Sequence, residues 1–208
     1  MTDELGRAWA RLLPGQDALG AELLARWSEP HRRYHDLSHL QASLEALTEL
    51  GGTGRVERLA IWFHDAIHTG QPGRDERDSA ELARERLGAA GLPLADVAEV
   101  ARLVLVTIEH SPPPDDAPGA RVSDADLAIL GAEPERYAAS VAGLRAEAGA
   151  VPDELWRVTR SARLAELLAA EPLFHTTTGR HRWLARARAN LAAERRALLA
   201  PAGERPTP

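Results

Sequence analysis

A histidine and an aspartate stand side by side in the middle of the apolar stretch LAIWFHDAIH, Leu59 to His68, and this pair constrains what the chain can become. Leu59, Ala60, Ile61, Trp62 and Phe63 lead in, and Ala66 and Ile67 lead out, so the segment is apolar on nearly every side and belongs in an interior. An ionised carboxylate there costs several kcal/mol unless it is paired or bound to a cation. Two explanations of His64 and Asp65 follow: a buried polar pair satisfied by neighbouring helices, or part of a metal site.

Composition narrows the chemistry. The 208 residues suffice for one domain with a real core. There is no cysteine, which excludes disulfides, iron–sulfur clusters, thiol nucleophiles and zinc fingers, so any metal must be held by His, Asp and Glu. The start, MTDELGRAWARLLPG, lacks the basic head and apolar centre of a signal peptide, and nowhere do about 18 apolar residues run together. A cytoplasmic protein without membrane spans is expected. With 25 basic and 31 acidic residues, the net charge of −6 argues against nucleic acid or a membrane surface as partner. The arginines from Arg180 to Arg196 alternate with alanines and resemble a solvated face. A small-molecule partner is the expectation.

The chain is helical in pattern throughout. Leu5, Trp9, Leu12 and Leu13 mark a first helix, and Leu19, Leu23, Leu24 and Trp27 a second before Pro30. EPHRRYHDLSHL is a loop entering a third helix, with Ser38 and Gln41 as its capping box and Gly51 as its end. The central helix is expected from Arg55 to His68, where TGQPG stops it. Others follow from Asp75 to Ala90 and from Leu94 to His110. The loop SPPPDDAPG should be neither helix nor sheet; Ser123 or Asp124 then caps a short helix to Leu130. Helices over Tyr137–Ala148, Leu155–Leu168 and His181–Leu199 complete an all-α, single-domain bundle of about nine helices over residues 1–200, with 201–208 expected to be disordered.

The possible ligands are His35, His39, His64, Asp65, His68, Glu76, His110, Asp124 and Asp126. Adjacent helical residues point about 100° apart, so His64 and Asp65 share an ion only if it sits close against the helix between them. Asp124 and Asp126 diverge by about 200°, so one at most faces an ion. His68 follows His64 by four and falls on the same helical side.

At these residues the chain resembles the HD-domain metal-dependent phosphohydrolases. EPHRRYHDLSHL, AIWFHDAIH, ERDSAELA and SDADLAILG are similar to one subgroup whose substrate is unassigned, and the likeness runs from about Trp27 to Glu194. The resemblance implies a bundle of the HD type in which His39 is the first metal ligand, His64 and Asp65 are the HD pair and Asp126 the closing ligand. His110 lies where some members place a histidine for a second metal or the substrate phosphate. Members with two metals commonly add a histidine before that position, and none occurs here from Thr69 to Glu109. One ion is therefore expected, and the two-iron oxygenase chemistry of some superfamily members is not.

The expected function is hydrolysis of a phosphate ester or anhydride of a small molecule or nucleotide by metal-activated water. Asp65 serves as ligand and orienter of water, with Glu76 and His68 as further catalytic candidates. Arg32 and Arg33, with His35 and His110, are the candidates for holding the phosphate. The ion is Mn, Fe, Co, Ni, Zn or Mg, since nitrogen and oxygen donors suit them all. The alternative is a catalytically silent module that senses a nucleotide or metal.

Overall fold

Ten α-helices and one 3-10 turn, with no strand, make up residues 1–200, the part of the chain that the computed structural model describes. The segment 201–208, expected to be disordered, lies outside the described residues. The helices fall into two compact units, one ending at Asp126 and the other beginning at Leu127.

The first unit holds α1 (Thr2–Leu12), α2 (Asp17–Trp27), α3 (Leu37–Glu49), α4 (Arg55–Phe63), α5 (Asp75–Ala89), α6 (Leu94–Glu109) and α7 (Ala117–Asp126). Its centre is α4, whose last five residues, Leu59 to Phe63, are all buried. Helix α4 packs against α6, α7, α3 and α5, which explains why it is apolar all round. Tryptophans tie the outer helices to it. Trp9 meets Trp62 edge to face at 5.1 Å, and the Trp27 indole N–H donates to the Trp62 carbonyl at 3.0 Å. Gly20 lets α2 approach, because a Cβ there would collide with the Trp9 indole.

The boundaries that differ from the sequence expectation include three set by a side chain that captures backbone. Helix α4 ends at Phe63 and not at His68. The segment beyond is gathered by α5: buried Asp75 accepts the N–H groups of Thr69 and Gln71, each at 2.8 Å, and Ser79 Oγ accepts the Ile67 N–H at 2.9 Å. Those backbone groups are thereby diverted from a continuing helix. Helix α3 is capped by Asp36, whose Oδ1 accepts from Ser38 N at 2.8 Å and His39 N at 3.3 Å, while Gln41 turns to Glu45 instead of forming a box with Ser38. Helix α7 begins at Ala117, inside the proline loop. Asp116 accepts the Gly119 N–H at 2.9 Å, and Pro118 falls in the first turn, where its missing N–H costs nothing. Ser123 and Asp124 are consequently buried inside the helix and do not stand at its start.

Asp75 makes the irregular segment pH-sensitive. Burial alone would raise its carboxyl, but the Thr69 hydroxyl and the Gln71 and Thr69 N–H groups hold it below the usual range. A depressed folded value means stability that is present above about pH 4, the unfolded value, and lost as pH falls through the folded one. Asp75→Asn should therefore cost about 2 kcal/mol at pH 7, with the difference from wild type shrinking below about pH 4. Urea unfolding across that range measures it, and a gap independent of pH would count against this role.

The second unit comprises a 3-10 turn (Leu127–Gly131), α8 (Pro134–Glu147), α9 (Asp153–Ala169) and α10 (Thr177–Leu199). Its polar anchor is Glu194 of α10, which accepts both Arg160 Nε (2.8 Å) and Nη2 (3.0 Å) and the Tyr137 hydroxyl. Asn190 donates to the carbonyls of Leu130 and Ala132, each at 2.9 Å, fixing the 3-10 turn on α10. Among the described residues no helix is long and apolar enough to cross a membrane.

Candidate metal centre

Three helix ends of the first unit bring His39, His64 and Asp126 together, with donor atoms within 4.8 Å of one another, and Asp65 adjoins the two histidines. His39 lies in the first turn of α3, fixed by the Asp36 cap beneath it. His64 and Asp65 follow the last residue of α4, and Asp126 is the last residue of α7. His39 Nε2 stands 3.2 Å from His64 Nε2, 3.6 Å from Asp65 Oδ2 and 3.0 Å from Asp126 Oδ1. His64 Nε2 is 3.1 Å from Asp65 Oδ2 and 3.5 Å from Asp126 Oδ1. Donor atoms about 2.0–2.2 Å from a shared ion stand about 3.0–3.5 Å apart at tetrahedral or adjacent octahedral positions, the spacing seen here.

The tautomer agrees with that use. His64 Nδ1–H donates to the Ile61 carbonyl at 2.8 Å, so the neutral ring directs the Nε2 lone pair at the other three groups. Two imidazole nitrogens face each other across 3.2 Å and can be satisfied only by a shared proton or a shared cation. His64 keeps helical dihedrals (φ −55°, ψ −40°) at the end of α4, and Asp65 follows it directly, so the two adjacent side chains meet the other groups at the helix terminus.

Electrostatics point the same way. Burial would lower the His64 imidazole, but Asp65 and Asp126 more than reverse this and raise it well above its ordinary value. Burial would likewise raise the two carboxyls, and the facing histidines override it: His64 and His35 hold Asp65 low, His64 and His39 hold Asp126 well below the usual range. Both shifts favour positive charge at the point these groups share, and metal uptake should release protons. The histidine side chains are sealed, at 4% for His39 and 1% for His64, whereas Asp65 and Asp126 are 15% and 16% exposed.

His110 adjoins this group. It closes α6 with φ 51°, a left-handed conformation that costs a non-glycine residue about 1–2 kcal/mol. The turn sends its ring back to α7, with Nδ1 at 3.2 Å from Ser123 Oγ and Nε2 at 3.6 Å from Asp126 Oδ2. Glu76, near the start of α5, accepts the Gly73 N–H at 2.5 Å; burial raises its carboxyl, and the charges of Asp65 and Asp75 add to the rise.

The remaining candidates lie elsewhere. Arg32 is buried, and its guanidinium is occupied by the fold: Nη1 donates to the carbonyls of His35 (2.9 Å) and Asp65 (2.8 Å), Nη2 to that of Ala66 (3.3 Å) and Nε to Glu29 (3.1 Å), over the face of Trp27. Arg33 is exposed and donates to the Pro30 and Arg32 carbonyls at 2.6 and 3.0 Å. His68, beyond the end of α4, does not share a helical face with His64; its ring lies on that of His35, 4.2 Å between centroids. Of the two aspartates of α7 it is Asp126 that meets the histidines.

Sequence reasoning missed Trp27, Tyr34 and Ser123 as parts of this region. Trp27 packs 5.4 Å from the His64 ring and 6.2 Å from that of His39, backing both, and Tyr34 lies 4.9 Å from His39. In the sequence Trp27 is only one apolar position of α2, and nothing there distinguishes it. Ser123 carries a signal of another kind, a small polar residue three before Asp126, which equally suits a helix cap.

Comparison with known proteins adds no relative: no family model, no curated protein and no solved structure matches the chain.

Proposed function

We propose that this protein is a metal-dependent phosphohydrolase of the HD type, acting on a phosphate ester or anhydride of a small molecule or nucleotide. The observation that carries the reading is the pair of Nε2 atoms of His39 and His64 at 3.2 Å, spanned by one oxygen each of Asp65 and Asp126. Two nitrogens and two oxygens on three separate helix ends fit a divalent ion of the borderline group, Mn, Fe, Co, Ni or Zn, and accommodate Mg if waters complete its shell. When bound, such an ion supplies a Lewis acid that polarises a phosphoryl oxygen and lowers the pKa of water.

The chain's own residues supply the rest. The solvent-facing ligands Asp65 and Asp126 set where water and substrate approach, because the histidines are walled off by Trp27 and α4. Asp65 orients the attacking water, whose oxygen bonds to phosphorus as the bond to the leaving oxygen breaks. Glu76, whose carboxyl is raised by burial with the charges of Asp65 and Asp75 adding to the rise, is the candidate to pass a proton to that leaving oxygen. His110, held by Ser123 next to Asp126, is placed to receive a phosphate oxygen. Arg32 does not enter this scheme, since its donors are directed into the fold; Arg33, exposed beside it, stays the arginine candidate for holding the phosphate.

The test is phosphate release from a panel of phosphomonoesters, nucleotides and phosphodiesters by metal-stripped protein reloaded with each ion in turn. We expect release that requires the ion, is abolished by a chelator and accompanies about one tightly retained equivalent per chain. A tightly bound ion with no release from any substrate, together with stabilisation by a nucleotide, would replace the enzyme with a sensing module. Two retained irons with oxygen consumption would replace it with an oxygenase.

A further inference from the structure

We propose that His35 and His68 form a second, weaker cation site, distinct from the inner centre and sharing no ligand with it, which takes a late first-row transition metal ion such as Ni2+, Cu2+ or Zn2+. The two rings lie 4.2 Å apart between centroids, tilted by 33°, and each offers a ring nitrogen within 4.8 Å of the other's. Both residues are part-exposed, so a small ring rotation brings the nitrogens to the separation of about 3–4 Å that two ligands about 2.1 Å from one ion require.

Backbone anchoring prepares the pair. The His35 carbonyl is held by Arg32 Nη1 at 2.9 Å, and the His68 carbonyl accepts from His31 Nε2 at 2.7 Å. A carbonyl only accepts, so His31 Nε2 carries the proton, and its ring lies parallel to that of His68, within 5° at 6.1 Å. Three imidazoles thus stand in a row, His31, His68 and His35, the last one 5.8 Å from the ring of the inner ligand His39.

The surroundings select a cation over an anion. Glu29 Oε2 is 3.8 Å from His31 Nε2, and the carboxylates of Asp65 and Asp75 lie within electrostatic reach of His35 and His68 respectively. Arg32, the buried guanidinium at this place, turns its donors on carbonyls and Glu29 and offers none outward. Imidazole donors suit Ni, Cu and Zn, whereas Mg2+ demands oxygen and holds its own water. A pair of histidines completed by water binds less tightly than two histidines with two carboxylates.

The test is calorimetric titration of the metal-stripped full chain with Ni2+. Wild type should take up two equivalents, the second at least about tenfold weaker than the first. His35→Gln, His68→Gln and the double variant should lose the weaker event and keep the tight one; Asp126→Ala should lose the tight event and keep the weaker. Mg2+ should fill no second site. Uptake of a single Ni2+ by wild type, or a weaker event that survives in the double glutamine variant, would overturn the proposal. The hydrolase reading stands or falls separately, on phosphate release and on the tight event.

Discussion

Under the proposed function, Asp65→Ala should abolish tight metal binding and lower phosphate release by at least about 100-fold, while the helices persist. The Oδ2 atom of Asp65 lies 3.1 Å from His64 Nε2 and 3.6 Å from His39 Nε2, so its removal opens one corner of the four-atom group and takes away half of the anionic charge facing any ion. The fold should survive because Asp65 sits beyond the end of α4, is 15% exposed and leaves Asp126 to face the two histidines. Metal-free protein should respond as well. The raised folded pKa of His64 contributes stability that is complete below the unfolded value, about 6.5, and fades as pH rises through the folded one. Removing Asp65, a carboxylate that raises it, should shrink that contribution. Metal content by mass spectrometry, circular dichroism and phosphate release on the same samples decide the matter. Full metal content with full activity in Asp65→Ala would place the ion elsewhere.

Arg32→Ala should be the most destabilising single change in this region, by about 3–5 kcal/mol. Its side chain is fully buried, and its loss leaves the carbonyls of His35, Asp65 and Ala66 without their donor while opening a cavity against Trp27. The pair with Glu29 adds little to that figure, because Glu29 is 38% exposed and water replaces the partner. Arg32→Lys should recover only part of the loss, since one ammonium cannot reach the acceptors on both sides. Urea unfolding of metal-stripped protein gives the numbers. A variant within about 0.5 kcal/mol of wild type would show that water substitutes for the guanidinium, contrary to its burial.

Arg32 also shows where sequence reasoning stops. Beside His35 and Arg33 it has the look of a phosphate clamp, yet two of its acceptors, the carbonyls of Asp65 and Ala66, lie 33 and 34 residues away. A pairing at that distance is set by how α2 and α4 pack and leaves no local trace. The helices themselves were legible because apolar residues recur at helical spacing. The burial of His64 and Asp65 could be read from Leu59–Phe63, and the side chains that converge, His39, His64, Asp65 and Asp126, are those named from the pattern. The ends of elements were less legible. Asp75 and Ser79 terminate α4 from the following helix, Asp36 outcompetes Ser38 as the cap of α3, and Asp116 starts α7 among prolines. Each of these polar side chains had several backbone groups to choose from, and only the tertiary arrangement selects one. The left-handed His110 belongs to the same class, because a non-glycine residue closing a helix in that way gives no sequence warning.

The unequal exposure of the four converging side chains gives the centre a front and a back, and with them an order of events. The back is imidazole against indole and helix; the front is carboxylate. A phosphorylated molecule arriving before the cation meets two carboxylates, whose charge repels it. Once a divalent ion is seated between them, its charge cancels theirs and the repulsion is removed. Under the proposed function, cation first and phosphate second is thus the order that the charges favour, and it would link the protein's readiness for substrate to the supply of metal around it.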